Sequence, residues 1–157
     1  MNHQYDVFIN FRGDDSRYRL VSHLYAALSN AGIYTFLDEE KLEKGSELQP
    51  ELLRAIQGSQ ICLVVFSENY SRSSWCLLEL EKIMECRETD GQIVMPIFYH
   101  IDPAIVRRQL GNFGEALEVT AKKMHSKRER QELLLQTWKS ALNQATNLSG
   151  WDVTSST

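Results

Sequence analysis

The chain has 157 residues, a formal net charge of −4 at pH 7, 43% hydrophobic and 24% charged residues, the balance of an ordinary soluble domain. At this length about 68–70% of the unfolded surface can be buried, so one core suffices without disulfide or metal staples. The acidic balance offers no broad basic field and speaks against nucleic acid as a main partner. The three cysteines, Cys62, Cys76 and Cys86, are odd in number and lack paired metal-ligand spacing, so they read as reduced thiols. Met1-Asn2-His3-Gln4 leads straight into a strand without the charged leader and apolar stretch of a signal peptide. The longest apolar run, Ile61 to Phe66, is too short for a bilayer, and an intracellular chain off the membrane is expected.

Tyr5 to Asn10 reads as a buried strand that ends in the polar loop Phe11-Arg12-Gly13-Asp14-Asp15. A helix is expected from about Ser16 to Ala31, with Leu20, Val21, Leu24, Leu28 and Ala31 as its core stripe and Gly32 as its stop. Arg19, Ser22, His23 and Ala26 form its small, flat outer face. Ile33 to Leu37 is a second strand opening into the charged loop from Asp38 to Gly45. Pro50 sits in the first turn of a helix that runs to about Gly58 on Leu52, Leu53 and Ile56. Ile61 to Phe66, apolar throughout, has the pattern of a central strand covered on both faces.

The loop from Ser67 to Arg72 leads into an amphipathic helix capped by Ser73 or Ser74. Cys76, Leu77, Leu80, Ile83 and Met84 form its apolar face, with Glu81, Lys82 and Glu85 opposite. Trp75 and Glu79 stand four residues apart on one shoulder, where core is expected to meet solvent. An aromatic and a carboxylate so placed can grip a ring and a sugar. Helix geometry alone favours the plainer reading, a solvated glutamate paired with Lys82 three residues on. Ile93 to Tyr99 is a fourth strand whose Pro96 argues for an edge or a bulge, and His100-Ile101-Asp102-Pro103 reads as a turn. A helix from Gly111 to about Met124, a charged turn within Lys122 to Arg130 and a long helix from about Glu129 to Thr146 complete the pattern. There is no internal repeat and no second domain.

Strands and helices alternate with short connections, which argues for a flavodoxin-like three-layer α/β/α fold around a parallel sheet. The expected strand order is 2-1-3-4, with a short fifth strand as an extension. Such sheets bind ligands at the carboxyl ends of their strands, where the order reverses between the first and third. Arg12, Asp38, Lys44 and Ser67 all fall at carboxyl ends, beside the loop that delivers Trp75 and Glu79. A phospho-acceptor receiver domain shares this topology but needs an Asp where the third strand ends in Phe66-Ser67. A dinucleotide oxidoreductase needs a Gly-x-Gly-x-x-Gly turn that no strand supplies.

The motifs Tyr5-Asp6-Val7-Phe8-Ile9-Asn10-Phe11-Arg12-Gly13-Asp14-Asp15-Ser16-Arg17, Ser22-His23-Leu24 and Trp75-Cys76-Leu77-Leu78-Glu79-Leu80 resemble those of Toll/interleukin-1 receptor (TIR) domains of the plant immune-receptor type. Pro96 to Pro103, Gly111-Asn112-Phe113-Gly114 and Leu148-Ser149-Gly150-Trp151 extend the likeness over nearly the whole chain, giving a domain over 1–152 and a polar tail over 153–157. The resemblance implies cleavage of the nicotinamide–ribose bond of NAD⁺ or NADP⁺, switched on by self-association, with the dinucleotide as substrate and no resident cofactor or metal. It assigns Glu79 as the catalytic carboxylate and Trp75 as the stacking ring, with Phe11, Arg12, Gly13, Asp38, Lys44 and Gly45 lining the substrate; Ser67, at the carboxyl end of its strand, completes the expected substrate-binding set. Ser22, His23 and Gly111 match self-association surfaces. Other TIR domains, the remainder of a nucleotide-binding leucine-rich-repeat receptor and lipase-like immune regulators reached through small-molecule products are the implied partners. The implied compartments are the cytoplasm and also the nucleus. Two residues depart from the family pattern: Asn10 stands where a serine is usual, and Lys44 where an arginine is usual. Lysine keeps the charge but lacks the planar fork of arginine.

Glycosidases commonly use two carboxylates because a poor leaving group must be protonated. Nicotinamide leaves NAD⁺ as a neutral base, so one ionised carboxylate can hold the ribose and stabilise the developing oxocarbenium charge. Water attack then gives ADP-ribose, and attack by another group of the nucleotide gives a cyclic product. The alternative is a TIR domain that only assembles with other TIR domains.

Overall fold

The computed structural model describes residues 4–13, 17–38 and 47–153. Lys44 and Gly45, with the rest of the charged loop after Asp38, lie outside the described residues, as do Asp14, Asp15 and Ser16. Five parallel strands form one sheet in the order β2-β1-β3-β4-β5: β1 (Tyr5–Asn10), β2 (Thr35–Leu37), β3 (Ser59–Phe66), β4 (Ile93–Tyr99) and β5 (Trp151–Val153). The reversal falls at β1, which pairs with β2 through Val7 and Thr35 and with β3 through Val7 and Ile61. This is the expected flavodoxin-like order, extended by the short fifth strand.

Side chains alternate across the sheet, and two separate cores result. Phe8, Cys62, Val64, Phe66, Val94 and Phe98 point to one face. There they meet α2 (Pro50–Gln57), α3 (Ser74–Asp90), α4 (Pro103–Arg108), α5 (Gly111–Met124) and α6 (Arg128–Thr146). Val7, Ile9, Leu63, Val65, Ile97 and Tyr99 point to the other face, where the helical segment α1 contributes Val21 and, less deeply, Leu20, Leu24 and Leu28. This segment begins as a wide π-type turn over Arg17–Val21 and continues as a regular helix over Ser22–Asn30. Among the described residues one helix covers a face and five share the other, and α1 is packed less deeply than its stripe predicts. Ala31, expected in that stripe, is exposed because it already belongs to the turn that leaves the helix.

Four further details differ from expectation. β2 begins at Thr35 rather than Ile33, because the Ile33 amide is used to close α1 on the Leu28 carbonyl and Tyr34 is held by the Asp6 carboxylate. Pro96 does not mark an edge strand or a bulge, since β4 lies between β3 and β5. The fifth strand pairs only from Ile97 onward, so the missing N–H falls where β3 alone flanks the strand. Asp102-Pro103 starts the short helix α4 rather than a simple turn: Asp102 accepts from the Ala104 amide at 2.9 Å and Pro103 occupies the first helical position. Finally, Glu81 is half-buried rather than solvated, because α6 crosses α3 and the Trp138 indole donates to its carboxylate at 3.2 Å. No helix among the described residues is long and apolar enough to cross a membrane.

Candidate functional site

β1 ends at Asn10 and β3 at Phe66, side by side at the point where the strand order reverses. From β3 the chain passes through Ser67 and the 3₁₀ turn Tyr70–Arg72 to Ser73, which caps α3 by accepting from the Cys76 amide at 3.1 Å. Trp75 and Glu79 are thereby brought over the carboxyl end of β1. Neither lies at the solvent boundary that helix spacing alone predicts: Trp75 is 4% exposed and Glu79 is fully enclosed. The reason is that the shoulder of α3 is covered by polar groups from other elements.

Asn10 is the first of these groups. Its side chain follows Phe8 on the α3 face of the sheet and is itself fully buried. The amide Nδ2 donates to Glu79 Oε1 at 2.8 Å and to the Cys76 carbonyl at 3.2 Å, while Oδ1 accepts from the Tyr70 hydroxyl. Turned over, the amide would set its oxygen against two acceptors, Glu79 Oε1 and the Cys76 carbonyl, which favours the orientation observed. Burial, with Cys76 and Glu79 nearby, pushes the Tyr70 hydroxyl well above the usual phenol range despite the opposing bond to Asn10, and it stays a donor.

Asp38, just after β2, is the second group. It is buried, and its Oδ2 accepts from the Trp75 indole N–H at 2.8 Å. That bond fixes the ring plane on one side of the shoulder. Ser67 is buried where β3 ends, and its carbonyl accepts from the Tyr70 amide at 3.1 Å. The Phe11 ring lies in the second core beside Val7, Ile9 and Val21, and its carbonyl accepts from the Cys76 thiol at 3.2 Å. Arg12 and Gly13 follow it, half-buried.

The structure therefore gathers Glu79, Trp75, Asp38, Ser67 and the backbone of Phe11 at one end of the sheet. Ser22 and His23 stand apart, exposed on α1. Gly111 is exposed at the start of α5, with φ +56, beside a cleft of about 500 Å³ that Glu68, Arg72, His100 and Asp102 also line. Asn10 and Tyr70 are absent from the sequence-derived set of site residues. Strand alternation could have found Asn10, since the residue two after Phe8 must face the same helix. No spacing rule reaches Tyr70, which sits in an irregular turn. No group of three or more His, Cys, Asp or Glu is placed to hold a metal among the described residues.

The sequence profile of the TIR domain matches residues 4–157. The chain is 50% identical over 147 residues to "Disease resistance protein RPV1" of Vitis rotundifolia, covering 94% of this chain and 10% of that protein. It is 49% identical over 146 residues to "TMV resistance protein N" of Nicotiana glutinosa, covering 93% and 12%. The chain thus spans about a tenth of the length of these curated relatives. Among solved structures, the TIR domains of the activated Roq1 resistosome, which directly recognises the pathogen effector XopQ, match with a TM-score of 0.82. That alignment has 42% identity and covers 95% of this chain and 87% of that one. Five parallel strands in this order, a profile match over nearly the whole chain and relatives at half identity have one explanation: this chain belongs to the TIR domain family.

Proposed function

We propose that this domain cleaves the nicotinamide–ribose bond of NAD⁺ or NADP⁺, releasing nicotinamide and ADP-ribose or a cyclic product, in plant immune and cell-death signalling. The observation that carries the proposal is a carboxylate, Glu79, enclosed at the reversal point of a parallel sheet and held there by Asn10 at 2.8 Å. Removing a carboxylate from water is costly, and a solvated helix face would have avoided that cost. Glu79 would hold the ribose and stabilise its positive charge as the C–N bond breaks and nicotinamide departs with the electron pair. Trp75, fixed by Asp38, would offer an aromatic face to one of the rings.

Self-association would switch the reaction on. Glu79 and Trp75 are closed off in the single chain, so turnover requires the crevice to open, and contact with a second copy through the Ser22/His23 face or around Gly111 would favour the open form. The Roq1 domains come from an activated resistosome, which supports assembly as the working state. The relatives' names supply the setting, disease resistance, and the cytoplasm with the nucleus is the compartment that fits it.

The test is nicotinamide release from NAD⁺ across a protein concentration series, for wild type, Glu79→Ala and His23→Ala. The proposal requires specific activity that climbs steeply with concentration, is abolished in the first variant and is lowered in the second but recovered by crowding. The same burial of Glu79 favours a second reading, a homotypic interaction module without chemistry. Equal background release from wild type and Glu79→Ala, with association intact, would select it.

A further inference from the structure

We infer that Asn10 is a positioning residue for the proposed reaction, an amide locked by Tyr70 that aims the Glu79 carboxylate. The inference rests on the reading of Glu79 as the reacting group.

Geometry gives Asn10 a single arrangement. Both Nδ2 protons are directed at acceptors, Glu79 Oε1 and the Cys76 carbonyl, and Oδ1 receives the Tyr70 hydroxyl. All three residues of the relay from Tyr70 through Asn10 to Glu79 are completely buried, so water does not compete for these bonds. The relay is also short in sequence terms at its outer end, because Tyr70 lies in the turn that launches α3. Strand β1, the turn and α3 are thereby tied at one point. A fixed donor on Oε1 narrows the rotation of the carboxylate and so the directions in which Oε2 can point. Chemistry that places charge on a ribose carbon depends on that direction.

Asn10 itself need not touch the dinucleotide. Its removal should therefore lower kcat while leaving KM in place, the signature of an interaction that matters in the transition state. Asn10→Leu keeps the approximate shape and removes the donor, and kcat is expected to fall about 10–100-fold, the effect of losing a hydrogen bond to a charged group. Tyr70→Phe leaves Asn10 in place but removes its anchor, and a fall of about 3–10-fold is expected.

The experiment measures kcat and KM for nicotinamide release at high protein concentration for wild type, Asn10→Leu, Tyr70→Phe and Ser59→Ala, each per folded molecule by circular dichroism. Ser59 is equally buried and hydrogen-bonded, to the Ala55 carbonyl at 2.7 Å, at the opposite end of β3. It controls for destabilisation without a role in the relay. In parallel, the ¹H–¹⁵N signals of the Asn10 side-chain amide are compared between wild type and Glu79→Gln, which reads the contact independently of turnover. Support is a kcat loss at constant KM in the first two variants, absent in Ser59→Ala, together with an amide shift in Glu79→Gln. If Asn10→Leu does not fold, Tyr70→Phe and the amide signal decide alone. Wild-type kcat in Tyr70→Phe with an unmoved amide, or a KM increase that accounts for the whole loss, overturns the positioning role and leaves Glu79 as the reacting group. Wild-type protein without Glu79-dependent turnover overturns the enzyme reading and the positioning role with it, even where the amide signal shows the contact intact.

Discussion

Trp75 and Asp38 restrain one another through a single hydrogen bond between two buried groups. Trp75→Phe keeps an aromatic face but withdraws that donor, and unfolding in urea should show a loss of about 1–3 kcal/mol. A weaker affinity for NAD⁺ should accompany it, because the ring plane is no longer held. Glu81 makes a different kind of prediction. Burial raises its carboxyl above the usual range, only partly offset by the Trp138 indole. A group raised on folding favours the folded state while it is protonated, and that contribution is lost as pH rises through its folded pKa. Glu81→Gln should therefore raise Tm at pH 7, with the difference from wild type vanishing below the ordinary glutamate range near pH ~4. Trp75 and Glu79 were legible from helical spacing, but their burial was not. The groups that cover them, Asn10, Asp38 and Tyr70, come from three other segments, and no local pattern reports on that.

Helix α3 owes its start to Ser73, the side chain that satisfies the Cys76 amide. Ser73→Ala should cost about 1 kcal/mol and lower Tm by about 2–4 °C, measured by thermal denaturation. The outermost strand depends on a close approach: a Cβ on Gly150 would lie 1.9 Å from the Pro96 carbonyl oxygen. Gly150→Ala should detach β5, and the His100 amide, which donates to the Val153 carbonyl, should lose its protection from hydrogen exchange while the amides of β1 keep theirs. The longer elements could be read from the chain, as the apolar run of β4 and the span of α5 from Gly111 to about Met124 illustrate. Short ones could be anticipated but not placed. β5 has three residues, below the length at which alternation means anything, and Asp102-Pro103 serves a turn or a helix start equally well.

Taken whole, the molecule keeps its three cysteines out of reach. Cys62, Cys76 and Cys86 are buried thiols that form no disulfide, and burial pushes the Cys62 and Cys86 thiols upward. Ellman's reagent should meet almost no reactive thiol in the native protein and all three after denaturation. The sheet topology was legible because strands and helices alternate, and a parallel sheet follows from that alternation by the handedness of its crossovers. The uneven layering, one helix on one face and five on the other among the described residues, was not, because periodicity says which side of a helix is apolar and nothing of which face of the sheet it meets. The all-parallel order also governs how the chain reaches this state. Val7 must find Thr35 and Ile61, Ile61 must find Ile93, and Ile97 must find Trp151, so every pairing closes a loop of several tens of residues before any sheet energy is gained. Collapse to the native sheet should accordingly be slow for a domain of this size, leaving strand edges open to other chains during synthesis and making soluble yield sensitive to chaperones.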